Sequence, residues 1–161
     1  MKALTLTQPW ATLVAIGAKR IETRSWPTNY RGPLAIHAAK GFPKWAKEFT
    51  TEPECYEAVR YHGARHAGYP LGVVLATCRL VDCVMMGNLD LMPDLLRHAE
   101  RERAFGDYSP GRFAWFFEDV KELPEPIAAK GALGLWEWNV SETQAANWES
   151  PRPQAAQGGA V

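Results

Sequence analysis

The run Gly17-Ala18-Lys19-Arg20-Ile21-Glu22-Thr23-Arg24-Ser25-Trp26 sets three cations, one carboxylate and an indole between two apolar stretches. If residues 21–26 are extended, Glu22, Arg24 and Trp26 share one face and Ile21, Thr23 and Ser25 the other, with Lys19 leaving the turn just before. A partly buried carboxylate in that company stays ionised and fixes the guanidinium and ammonium groups around it. The donors left over can grip a phosphate or a base edge, and an aromatic face can stack a base. Trp10 upstream, and Tyr30, Arg31, His37 and Lys40 downstream, are close enough in the chain to line the same cleft. An enzyme would use these groups differently. Lys19, crowded by Arg20 and Arg24, could lose proton affinity and act as nucleophile or base, while a desolvated Glu22 could shuttle a proton. The same alternation also describes a surface strand whose charges pair with each other and do nothing more.

The elements that must position these residues are readable from periodicity. Ala3-Leu4-Thr5-Leu6-Thr7 alternates as a strand; Pro9 suits a first helical turn; Trp10, Leu13 and Val14 make an apolar stripe that Gly17 ends. Residues 20–26 read as extended, Pro27, Asn29 and Gly32 as a loop, and Leu34 to Ala38 as a strand. Residues 43–66 read as helical surface, Pro53 opening the second of two helices. Gly72 to Met85 is the longest strand signal, and Asn88 to Arg103 has the pattern of an amphipathic helix. Arg112 to Lys121 and Ala132 to Asn139 read as aromatic-rich strands joined by a Pro124/Pro126 linker. Six strands with inserted helices and no repeating βαβ rhythm predict a small α+β barrel-like domain over residues 1–140. Residues 141–161, rich in Gln, Ala, Pro, Gly and Ser, read as a disordered tail.

The 161 residues carry 18 Lys+Arg against 18 Asp+Glu, which argues against a uniformly basic nucleic-acid coat. The balance hides an asymmetry: residues 1–47 hold eight basic residues and one acid, Glu22, and the remainder is acidic by the same margin. An anionic ligand is therefore expected at the N-terminal third, held by a local basic field and released steeply by salt. No apolar run approaches a membrane span and the start turns polar too soon for a signal peptide, so a cytoplasmic protein with Cys55, Cys78 and Cys83 reduced is the expectation. Gly106 to Gly111 has phosphate-loop glycine spacing but Arg112-Phe113 where Lys and Ser/Thr are needed, and reads as a turn. Gly131-Ala132-Leu133-Gly134 precedes a Trp-rich strand rather than a helix and also reads as a turn. His62 and His66 with Cys78 and Cys83 would have to converge to hold zinc, and the strand spacing of the cysteines opposes it. No metal and no cofactor are expected.

Leu6-Thr7-Gln8-Pro9-Trp10-Ala11, followed by the signature Gly-x-Lys-x-x-Glu-x-Arg at Gly17, Lys19, Glu22 and Arg24, resembles the ASCH (activating signal cointegrator homology) domain family. The strand Arg31-Gly32-Pro33-Leu34-Ala35-Ile36-His37-Ala38 and the Gly131 to Trp136 ending, with Pro126-Ile127 ahead of it, extend the likeness over about residues 2–139. They are similar to the subgroup of endothelial-overexpressed lipopolysaccharide-associated factors. The resemblance implies a PUA-like β-barrel, a cleft beside the signature, and association with RNA, a nucleotide or a modified nucleoside. In that cleft Lys19 and Arg24 would meet phosphate or base edges, Glu22 would orient them, and Trp26 or Trp10 would stack. Some bacterial relatives resemble amidohydrolases of N4-acetylcytidine and others ribonucleases. In the amidohydrolase branch a Lys, a Thr three residues on and a distant Glu form the catalytic set; Lys19 fits the first, Glu22 stands at the Thr position, and Asp82, Asp90 and Glu100 are the options for the distant acid. Three functions follow: an RNA- or nucleotide-binding module, a small hydrolase using Lys19 and Glu22, and a protein-interaction domain whose partner no motif names.

Overall fold

The computed structural model describes residues 1–62, 68–87 and 102–140. Six strands, β1 (Lys2–Leu6), β2 (Ile21–Arg24), β3 (Gly32–Ala38), β4 (Val73–Met85), β5 (Phe113–Ala128) and β6 (Leu135–Glu137), form one sheet in the order β2-β5-β4-β3-β1-β6. The β1–β3 pair is parallel and the other four pairs are antiparallel. The sheet curls into a half-barrel: the side chain of Arg24 on edge strand β2 reaches the carbonyl of Thr5 on β1, although three strands separate them in the ladder.

Strand alternation divides the core. Leu4, Leu6, Leu34, Ile36 and Ala38 face inward with Trp115 and Phe117 against Ala11, Val14 and Ala15 of helix α1 (Trp10–Ala15). Ala3 and Ala35 face the other way, onto Val74, Leu123 and Trp138. The six-residue α1 is too short to hold itself together and depends on its surroundings. Gln8, fully buried, accepts from the Thr12 amide at 3.0 Å and donates to the Pro70 carbonyl at 2.8 Å, so it satisfies a helix-start donor and ties that start to a distant loop. Gly17, at φ +78°, ends the helix as the apolar stripe predicts.

Helices α2 (Lys44–Phe49) and α3 (Pro53–His62) follow β3, with Pro53 opening the second. The Pro124/Pro126 linker is a correction: β5 runs through both prolines. The β4 register jumps from Val74 opposite Ile127 to Ala76 opposite Glu122, leaving Leu123 to Pro126 in a bulge where prolines forfeit no ladder hydrogen bond. The last strand is also shorter than its aromatic pattern suggests, because residues 131–134 stay in a loop that Gly134 turns at φ +67°. Of the helix predicted over residues 88–103, only Glu102 and Arg103 lie among the described residues, where Arg103–Phe105 form a 3₁₀ turn. His66, Asp90, Glu100 and the tail from residue 141 lie outside the described residues. Among the described residues no helix is long and apolar enough to cross a membrane.

Candidate functional site

The signature folds as its alternation requires. β2 pairs with β5 so that Glu22 lies opposite Trp115 and Arg24 opposite Phe113, while Ile21 and Thr23 are buried on the other face. Lys19 does not project into a cleft. It is fully buried, and its Nζ donates to the Ile21 carbonyl and to the Phe105 carbonyl at 3.0 Å, with Glu22 Oε2 at 3.5 Å. An ammonium has three N–H donors and here meets three acceptors, so the charged form satisfies the site. Burial pulls the Lys19 pKa down, the carboxylates of Glu22 and Glu102 oppose that, and Arg24 adds a smaller push downward.

Glu22 is thereby held between two cations, its Oε1 lying 3.2 Å from Arg24 Nε. Arg24 Nη2 donates to the Thr5 carbonyl at 3.0 Å, which clamps the edge of the sheet to β1. Glu102 anchors the strand from behind: its Oε2 accepts from the amides of Arg20 at 2.8 Å and Ile21 at 2.9 Å. Tyr108 is close by, and burial first, then Glu102 and Glu22, push its phenol pKa up.

Beside this network opens a cleft of about 440 Å³, lined by Leu6, Thr7 and Trp10, by Glu22, Thr23 and Arg24, by Trp45, and by Ala104 to Asp107 with Arg112. Trp10 stacks on Phe49 at 5.0 Å and meets Trp45 at 5.5 Å in a tilted pair. Trp45 leaves 60% of its surface exposed, so an indole face is available at the mouth. Arg112 donates to the Thr23 carbonyl at 3.2 Å and has Asp107 within 3.4 Å of its Nε.

Of the sequence-derived set, Glu22, Arg24 and Trp10 meet in the cleft, and Lys19 stands behind Glu22. The others do not join them. Trp26 packs edge-on against Trp115 at 4.6 Å, as core. Tyr30 bonds the carbonyl of Pro33 at the start of β3, and Arg31 pairs with Asp82 at 2.9 Å. Arg20 and Asp82 line a separate hollow with Val81 and Phe116. The local basic field is therefore not a field at the cleft: Arg24 and Arg112 face Glu22 and Asp107 there, charge against charge. Trp45, Arg112, Asp107 and Glu102 were not singled out by spacing. The last three come from the chain beyond residue 100, and the only signal for Trp45 was an unusual number of tryptophans.

His37 belongs elsewhere. It is buried at 1% exposure on the outer face of the sheet, beneath an open depression of about 840 Å³. Its Nε2 meets the Ala129 carbonyl at 3.1 Å, a pure acceptor, which fixes the proton on Nε2. Nδ1 then accepts from Thr5 Oγ1 at 3.2 Å, and Thr5 in turn accepts from Trp136 Nε1 at 3.0 Å. Burial lowers the His37 pKa, opposed by the Ala129 bond. Cys55 and Cys78 are buried, and burial pushes the Cys78 thiol up to about 12. Among the described residues no cluster of His, Cys, Asp and Glu could hold a metal ion.

A curled mixed sheet of six strands with the short helix α1 packed against its inner face is the PUA-like architecture, and comparison with known proteins narrows the class. The ASCH domain model matches residues 4–127. Activating signal cointegrator 1 from Homo sapiens is 29% identical and that from Mus musculus 28% identical over 135 residues, 83% of this chain and 21% of each of those proteins. The chain thus spans about a fifth of the length of the curated relatives it matches. The crystal structure of ASCH from Zymomonas mobilis superposes with a TM-score of 0.50 at 15% identity, covering 91% of both chains. A serine-to-alanine variant of that protein gives a TM-score of 0.50 over 90% of this chain and 92% of its own. The chain belongs to the ASCH domain family.

Proposed function

We propose that the signature cleft binds a nucleotide of RNA, or a modified nucleoside, and that this is the domain's function. The observation that carries the proposal is the juxtaposition of an exposed indole, Trp45 backed by Trp10, with two arginines whose positions are fixed by carboxylates, in a cleft of about 440 Å³. That volume falls within the range of small-ligand sites, and the lining offers a stacking face together with guanidinium donors for base edges or phosphate. Trp45 replaces Trp26 as the stacking residue. Lys19 acts through Glu22: it neutralises and orients the carboxylate that aims Arg24. The family likeness supports the RNA class, and the Gln8-Pro9-Trp10 opening supports placing the chain beside the endothelial-overexpressed lipopolysaccharide-associated factors within it.

Among the described residues two cleft cations, Arg24 and Arg112, can reach phosphate, and each has an acid beside it. The salt dependence belonging to the cleft is therefore shallow, a log–log slope of about −1.4 if both arginines contact phosphate of a single strand. This replaces the steep dependence that the charge asymmetry along the chain suggests. Titration of the protein with short single-stranded RNAs and with nucleosides, in parallel with Arg24→Ala and Arg112→Ala, tests the proposal. Each variant should weaken binding by about 1–3 kcal/mol. No binding by the unaltered protein to any of these ligands, or binding indifferent to both substitutions, would refute it.

Hydrolysis has less support from the geometry. A lysine nucleophile or base must be neutral and reachable, and Lys19 is enclosed with every donor engaged. Incubation with N4-acetylcytidine and with labelled RNA should give no product; turnover abolished by Lys19→Ala would put the hydrolase in place of the binding module.

A further inference from the structure

The depression above His37 has no part in the signature cleft, and its lining has a different character. Thr5 and His37 form its floor, with Lys40, Lys130, Leu71 and Leu133 around them. Leu133 is 98% exposed and Leu71 40% exposed. Among the described residues no carboxylate lines it, and neither Lys40 nor Lys130 forms an ion pair. The floor is fully satisfied by the hydrogen-bond chain from Trp136 through Thr5 to His37, so it presents no polar demand of its own. The result is an apolar basin with two ammonium groups at its edge that no described acid neutralises, a surface complementary to an anion that also carries apolar faces.

Its position relates it to the cleft. Thr5 lines the basin, while Leu6 and Thr7, the next two residues, line the cleft. The side chains of Thr5 and Leu6 leave opposite faces of the sheet, so the two openings adjoin across the end of β1. Two residues of extended chain cover about 7 Å, a distance that one nucleotide linkage spans. Arg24 in the cleft bonds the carbonyl of the same Thr5.

The loop that brings Lys130 to the rim is held from below. His37 bonds the carbonyl of Ala129, and a Cβ on Gly131 would lie 2.5 Å from His37 Cε1 and 2.9 Å from Thr5 Oγ1, so only glycine lets the loop lie this close. Lys130 therefore has a fixed base, although its side chain is exposed.

Resting on the proposed nucleotide binding at the cleft, we propose that the basin is a second subsite for single-stranded RNA: the strand leaving the cleft crosses the end of β1 and sets its phosphates against Lys40 and Lys130, with a base against Leu71 and Leu133. The cleft selects one nucleotide, and the basin supplies the sequence-independent electrostatic hold that the charge-balanced cleft lacks.

The test compares a two-nucleotide RNA with an eight-nucleotide single-stranded RNA on the whole chain, across a salt series, for the unaltered protein, a Lys40→Gln/Lys130→Gln double variant and Gly131→Ala. Both lysines are exposed, so the double variant should fold normally, and its thermal melt checks this. The eight-nucleotide RNA should bind the unaltered protein at least tenfold more tightly than the short one, with a log–log salt slope steeper by about 1.4. The double variant should lose that advantage and that extra slope while holding the two-nucleotide RNA as before. Gly131→Ala, which must displace the loop carrying Lys130, should lose part of the advantage.

An eight-nucleotide advantage that survives the double substitution overturns the basin and leaves the cleft standing. Equal binding of the two RNAs by the unaltered protein does the same. Loss of both RNAs in Arg24→Ala, with both bound by the double variant as tightly as by the unaltered protein, also counts against the basin. If neither RNA binds the unaltered protein, the cleft proposal falls and the basin with it. Lysine-dependent binding of an acidic, leucine-containing peptide in place of RNA would identify a protein ligand and overturn the RNA assignment.

Discussion

The two openings at the end of β1 handle charge in opposite ways. In the signature cleft each described cation is matched, Lys19 and Arg24 by Glu22 and Arg112 by the exposed Asp107, and Lys19, Glu22 and Arg24 are partly or wholly withdrawn from water. Around His37 the buried groups are neutral and hydrogen-bonded, while the ammonium groups at the rim have no acid beside them among the described residues. The first arrangement gives geometry and little field; the second gives field and little geometry. A ligand that binds both receives its orientation from one and much of its affinity from the other.

The largest expected effect tests whether the cleft depends on a buried charge. Lys19→Met removes the ammonium and strands the Ile21 and Phe105 carbonyls and the Glu22 carboxylate, and should destabilise the fold by about 3–5 kcal/mol in denaturant unfolding. A loss below about 1 kcal/mol would erase the contrast with the neutral network. Next is Gly131→Ala, where the added methyl meets an imidazole that cannot retreat. Overpacking of this kind costs about 1–3 kcal/mol, read from the thermal midpoint. Nucleotide binding at the cleft should be unmoved.

Trp45→Ala should sharpen the comparison from the other side. It should weaken RNA binding by about 1–3 kcal/mol while changing stability by less than about 0.5 kcal/mol, because the indole is mostly in solvent. Calorimetry and a melt on the same sample separate the two readouts.

The smallest effect concerns His37. Its folded pKa lies below the ordinary 6.5, so the unfolded chain takes up the proton first as pH falls. Its contribution to stability is therefore complete above about pH 6.5, declines below that, and levels off once the folded imidazole also titrates. In His37→Gln that part of the stability–pH profile should flatten, whereas Trp45→Ala should retain it.

Local pattern carried much of this molecule. The alternation of residues 3–7, the Trp10, Leu13 and Val14 stripe ended by Gly17, and Pro53 at a helix start all appear where short-range geometry puts them. The proline pair in β5 misled because a bulge is a property of two strands, and the partner strand is not visible beside the prolines in the chain. The two glycine-bearing turns also gained meaning only in three dimensions. Gly106 and Asp107 wall the cleft, and Gly131 roofs His37.

The sequence by itself determined the family, the faces of β2 on which Glu22 and Arg24 fall, and the excess of positive charge in the first 47 residues. Tertiary structure decided what that charge does. Lys19 is sealed beneath the strand, Arg31 is spent on Asp82, and Lys40 is carried to the far face, because each leaves the chain just outside β2 or β3 and the curled sheet separates its two faces. It also supplied the partners that complete the site: Glu102 bonds Ile21 across 81 residues of chain, and Arg112 bonds Thr23 across 89. Contacts of that span leave no local trace in spacing or composition, so only the closed sheet edge reveals them.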